Sequence, residues 1–145
     1  MNRHLWALLV AGVMLGACGT ISSSLALRAW VHQSDFPLAV TSLRTDALHA
    51  ASVLRQRDAT SNELHTVCAI LNLETLQANA SLPSPDQQAT VLLSHAYDSF
   101  GAAAVECYDA SSSPALRATS LNSLGRAVAT LSEATARVAT ASTGS

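Results

Sequence analysis

Thr60-Ser61-Asn62-Glu63-Leu64-His65-Thr66-Val67-Cys68-Ala69-Ile70-Leu71 is the stretch that decides the fold class. Its first four residues form a capping box. The Thr60 hydroxyl can accept from the backbone N–H three residues on, and the Glu63 carboxylate can reach back to the N–H of Thr60. Behind that start, Leu64, Val67, Cys68, Leu71, Thr75 and Ala78 recur at spacings of three and four. That is the period of an amphipathic helix with one face turned to a core.

The pattern repeats outward in both directions. Ser34-Asp35-Phe36-Pro37 reads as an N-cap region with proline in the first turn, followed by Val40, Leu43, Ala47, Ala51 and Leu54 and a stop near Arg57-Asp58. A short helix over about residues 24–33, containing Trp30, precedes it. Pro83 and Pro85 interrupt the chain after Asn79, and Ser84-Pro85-Asp86-Gln87 reads as a second capping box. The core face predicted beyond it is Ala89, Leu92, Leu93, Ala96, Phe100, Ala103, Ala104 and Cys107. Ser113-Pro114 opens the last helix, with Leu121, Leu124, Val128, Leu131, Thr135 and Val138 on its inner face. Leu and Ala dominate, aromatics make up 4% of the chain, and no alternating strand pattern competes. The expected fold is all-α, a small up-and-down bundle of about four helices.

The N-terminus points to an export route. Arg3 leads into the apolar run Leu5–Met14, and Leu15-Gly16-Ala17-Cys18 follows. These residues resemble the lipobox of bacterial lipoprotein precursors, an aliphatic residue and two small ones before a cysteine. The resemblance implies cleavage between Ala17 and Cys18 and a diacylglycerol thioether on Cys18, with further acylation (palmitate or a similar chain) at the new N-terminus. The alternative is an uncleaved single-pass anchor: Leu5 to Leu27 carries no charge and is about 23 residues, long enough to cross the hydrocarbon layer as a helix. Either way the sequence divides into 1–17 as signal peptide or anchor, 18–33 as lipid attachment and tether or short helix, 34–138 as the bundle, and 139–145 as a disordered tail.

Assigning Cys18 to lipid leaves Cys68 and Cys107 as a pair, and in an exported protein such a pair reads as a structural disulfide. Closing a loop of that length contributes roughly 4 kcal/mol by restricting the unfolded chain. It also makes a geometric demand. Cys68 and Cys107 lie at depths in successive helices that differ by roughly 18 Å. The segment from Asn79 to Ser84 must therefore run on in extended form, so that the next helix starts beyond the end of the previous one. The pattern of Trp30, Cys68, Leu82-Pro83-Ser84-Pro85-Asp86 and Ala103–Cys107 resembles small exported helical proteins of actinobacteria. That resemblance implies a disulfide-tied bundle in the cell envelope and no particular activity.

The formal net charge is −2, all eight basic residues are Arg, and the part from Cys18 onward is slightly more acidic, so nothing attracts nucleic acid. Candidate chemistry is thin. His65 and Cys68 stand at i, i+3, a spacing that suits metal ligands, but no second histidine accompanies Cys107, and no metal or other cofactor is expected. Asp46-His49, His95-Asp98 and the i, i+4 pair Glu133-Arg137 read as solvated helix faces. No HExxH, GxSxG, Walker or dinucleotide signature is present, so no catalytic residue is assigned and no enzyme is expected.

Two features suit an interaction. Leu73 and Leu76 project away from the face holding Leu64, Cys68 and Leu71; they either bury, against the segment around Trp30 or because the helix is central in the bundle, or contact a partner. Trp30 either rests at the lipid headgroups or packs on the bundle. The functional expectation is a membrane-tethered envelope protein acting through a helical surface, with an envelope protein as partner. Its rival is a small carrier of a lipid or other apolar ligand. A solid core with exposed Leu73 and Leu76 favours the first, and an enclosed apolar cavity of several hundred Å³ favours the second.

Overall fold

The computed structural model describes residues 22–144. They form five α-helices and no strand: α1 (Ser23–Gln33), α2 (Phe36–Arg55), α3 (Ser61–Asn79), α4 (Gln87–Asp109) and α5 (Pro114–Thr143), with a 3-10 turn over Ala110–Ser112 before α5. Residues Ala17 and Cys18, and with them the leader, cleavage and lipid-attachment expectations, lie outside the described residues. Among the described residues, no helix is long and apolar enough to cross a membrane.

The helix starts follow the sequence closely, with one exception. Thr60 and Glu63 close their capping box: the Thr60 N–H donates to Glu63 Oε2 at 2.8 Å, and the Glu63 N–H donates to Thr60 Oγ1 at 3.2 Å. The Ser113 hydroxyl accepts from the Ala115 N–H ahead of Pro114. At α4, however, the cap is Asp86 and not Ser84. The Ala89 N–H donates to Asp86 Oδ1 at 2.6 Å. Ser84 is instead buried in the approach to the helix, where its backbone and side chain bond Thr90 Oγ1 and its hydroxyl donates to the Asp86 carbonyl. A carboxylate wins this cap because Arg137 of α5 holds its second oxygen, at 2.6 Å. The expected Glu133-Arg137 pairing gives way to this longer-range one.

The C-terminal segment also differs from expectation. Segment 139–143 is not a disordered tail: α5 runs on to Thr143 and closes at Gly144 in the left-handed region, with φ 72°. Residues 23–33 form the short helix read from the sequence, and it is docked on the rest of the fold. Leu27 is buried, and the Arg28 Nε donates to the Ser142 carbonyl at 2.9 Å, tying α1 to the last turn of α5. A basic side chain on terminal carbonyls is favourable at that helix end. Asp35, at φ 49°, supplies the sharp joint that turns the chain from α1 into α2.

One apolar core joins all of α2 to α5. α4 packs most extensively on α5, and α3 lies between α4 and α2. The buried face of α3 is the one read from the sequence, from Leu64 to Ala78. α5 departs from the reading. Ser120, Ser123, Ala127 and Ala134 turn inward beside Leu124, Leu131 and Val138, while Leu121 and Val128 are only half-buried. Small side chains at this contact let the helices approach closely, and close approach gains dispersion contacts along the interface.

The offset that the cysteine pair demands is met, although the segment from Asn79 is not extended throughout: the Ser81 and Leu82 N–H groups donate back to the Ala78 and Asn79 carbonyls in a turn before the chain runs on. Cys68 and Cys107 form a disulfide with a Cα–Cα distance of 5.7 Å. With that pairing fixed, α4 must begin roughly 14 Å beyond the end of α3, given the rise of a helix. Residues 80–86 bridge this offset, and the overhanging first turns of α4 are held by Arg137 on Asp86. Trp30 covers the same loop, donating its indole N–H to the Ser81 carbonyl at 3.0 Å.

Candidate functional site

α3 presents two different faces, one on each side. Inward, Leu64, Cys68 and Leu71 are almost fully buried, and the disulfide fixes the helix to α4. Outward, Leu73 and Leu76 are 56% and 58% exposed, and Ile70 beside them is 44% exposed. The segment around Trp30 does not cover them. At 100° per residue, Leu73 points almost opposite Leu64, with Leu76 and Ile70 flanking it on either side. Ile70 went unremarked in the sequence because it sits among residues of the next turn's core face, although its position relative to Leu73 was readable.

Trp30 is engaged within the fold. Its ring lies 5.3 Å from that of Phe36, tilted by 43°, and its N–H is taken by Ser81. An aromatic pair with its polar edge satisfied is a packing arrangement. It leaves no indole N–H for a headgroup, so Trp30 belongs with the core and not with the outward row.

A shallow groove of about 320 Å³ runs beside the α3 row, between α2 and α3. Asp35, Leu38 and Glu74 line it, and Leu38 is 66% exposed. Ser34, Ser42 and Gln77 make the lining largely polar, and it includes none of Ile70, Leu73 and Leu76, so the groove is a neighbour of the outer row and not its continuation. Electrostatics elsewhere are structural. The Arg137 guanidinium, then the Ala89 N–H, hold the Asp86 carboxyl below the usual carboxylate range, and the Thr60 N–H does the same for Glu63. Burial pushes the Tyr97 hydroxyl up to about 12.

At the opposite end of α3, His65 stacks on Tyr108 with ring centroids 3.9 Å apart and planes 10° from parallel. Its Nε2 lies 3.3 Å from Ser111 Oγ. This sandwich orients the imidazole beside the disulfide, away from any ligand set. Among the described residues no three His, Cys, Asp or Glu side chains gather in a way that could hold a metal ion. Asp46 with His49, and His95 with Asp98, form no hydrogen bond there either.

The fold and the row on α3 define a class: among the described residues, an all-helical, disulfide-tied protein whose helix α3 sets three exposed apolar side chains in one outward row, while Leu48 on α2 and Val91 and Val105 on α4 are exposed singly. Compared with protein-family models, curated proteins and solved structures, the chain matches none of them.

Proposed function

We propose that this is a membrane-tethered interaction protein of the cell envelope. In this reading α2 to α5 form an up-and-down four-helix bundle, lipidated Cys18 (or an uncleaved leader helix) holds it to the membrane, and α3 presents its outer row to an envelope protein. The observation that carries the reading is the exposure of Leu73 and Leu76 on a helix whose inner face is fixed by a disulfide. An apolar row of this kind is the feature that helix-recognition surfaces use. Holding it rigid before binding reduces the entropy cost of association. Glu74, next to Leu73 on α3, favours a partner helix whose apolar residues are flanked by Arg or Lys.

The rival carrier reading asked for an enclosed cavity, whereas the prominent hollows are open surface grooves. The test is photo-crosslinking in living cells of the host, with the reactive group placed at position 73 or, as a control, at exposed Ala129 on α5. A discrete adduct from position 73 that disappears in Leu76→Gln supports the proposal. The same adducts from both positions would overturn it.

A further inference from the structure

At the end of the molecule remote from Asp86, the last turn of α2 and the first turns of α5 enclose an open groove of about 560 Å³. Its floor is apolar, from Leu54, Ala118 and Leu121, and its rim carries Arg55, Arg57 and Arg117. These are three of the seven arginines among the described residues, in a chain whose net charge is −2. No Asp or Glu lines the groove, and the side chains of Arg55 and Arg57 are exposed and bonded to nothing among the described residues. Arg117 is anchored: its guanidinium donates to the Gln56 carbonyl at 2.7 Å and to the Ala59 carbonyl at 3.4 Å. It thus stands at a fixed point on the rim, with its charge uncompensated by any carboxylate.

All three arginines line one groove that has no acid in its lining, and no hydrogen bond or ion pair among the described residues uses the side chain of Arg55 or Arg57. Planar guanidiniums are suited to bidentate binding of phosphate and carboxylate oxygens. The start of α5, at Ser113-Pro114, opens on the same groove and adds the positive end of its helix dipole. The floor asks for something different from an inorganic anion, since Leu54 and Leu121 offer contact only to apolar atoms. A volume of this size falls within the ordinary range for small-molecule sites, about 300–1,000 Å³.

We infer that this groove binds a single-chain anionic amphiphile, its phosphate or carboxylate head on Arg55, Arg57 and Arg117 and its chain along Leu54, Ala118 and Leu121. The site is separate from the outer row of α3, goes beyond the interaction proposed above, and can fail without it.

The test uses the full chain in nanodiscs of zwitterionic phosphatidylcholine, with octyl phosphate as the probe. Arginines are labelled with phenylglyoxal and the labelled positions are mapped by mass spectrometry. Octyl phosphate should protect Arg55, Arg57 and Arg117 while leaving Arg28, Arg44 and Arg126 reactive. Burying even part of the chain should lower the half-protecting concentration at least about tenfold relative to inorganic phosphate. Ala118→Glu, which places a carboxylate on the floor at an exposed helical position, should abolish the protection. In R55Q/R57Q the remaining protection of Arg117 should weaken by about tenfold or more, since charge-assisted bonds are lost.

Equal protection by inorganic phosphate would overturn the amphiphile assignment, and equal protection by octanol would overturn the role of the arginines. Uniform protection of all arginines would overturn the site itself. Protection that appears only with nanodiscs of anionic lipid would reassign the three arginines to a membrane surface and overturn the groove.

Discussion

The two faces of α3 are built from nearly the same residue types and are held to opposite standards. Leu71 is fully buried in the core and Leu73, two residues on, is more than half exposed. The inner face is fixed by the disulfide and by contacts to α2 and α4, whereas the outer face is covered by nothing among the described residues. The difference teaches that the composition of a helix does not set its role; the angular position of each leucine around the axis does. It also separates two kinds of change, those that should unfold the protein and those that should only disable it.

The largest effect should come from removing the lock. Replacing both Cys68 and Cys107 by Ala should lower unfolding stability by roughly 4 kcal/mol, read from urea denaturation, because the unfolded chain regains its loop entropy. Leu71→Ala should cost about 2–5 kcal/mol in the same assay through the cavity it leaves. If Leu71→Ala were as mild as an outer-face change, the contrast between the faces would be broken.

Much of this architecture was legible. The capping box at Thr60 and the period from Leu64 to Ala78 announced α3 because local hydrogen bonding and burial point the same way there. The offset between α3 and α4 followed from two cysteine positions and the rise of a helix. What stayed hidden depends on partners distant in sequence. Asp86 displaced Ser84 as the cap of α4 because Arg137, 51 residues later, grips its carboxylate. The inward turn of α5 toward Ser120, Ser123 and Ala127 was hidden because small residues give a periodicity search little weight. The arginine groove was unreadable because its parts are distant in sequence: Arg55 ends α2, Arg57 follows it, Arg117 lies near the start of α5, and only the fold brings them together.

Asp86 gives the next test, one that sets the polar end of the molecule against its covalent end. Asp86→Ala should cost about 1 kcal/mol near neutral pH, with loss of the cap as the main cause. Because Arg137 and the Ala89 N–H lower the folded-state pKa of Asp86, its contribution is present above the unfolded-state value and lost as pH falls through the folded-state one. Stability should thus hold above about pH 5 and decline below about pH 4, with a shallower decline in the Asp86→Ala variant. Glu63 acts in the same direction.

Within the core, Tyr97 is 2% exposed and its hydroxyl has no hydrogen-bond partner there. Tyr97→Phe should therefore leave stability unchanged or raise it by up to about 1 kcal/mol, since it removes a buried polar group and keeps the ring. The smallest effect belongs to the outer face. Leu76→Gln should remove the crosslinks from a photoreactive group at position 73, and L73Q/L76Q should shift unfolding by no more than about 0.5 kcal/mol. A large loss of stability in that variant would show that the outer row is part of the core.

The most direct test of the whole account is peptide mapping, without reduction, of protein isolated from its host membrane. An exported, oxidised helical body predicts a linked Cys68–Cys107 peptide pair and an N-terminus at a diacylglycerol-bearing Cys18. Free thiols at both Cys68 and Cys107 in a chain recovered from the cytosol would contradict it.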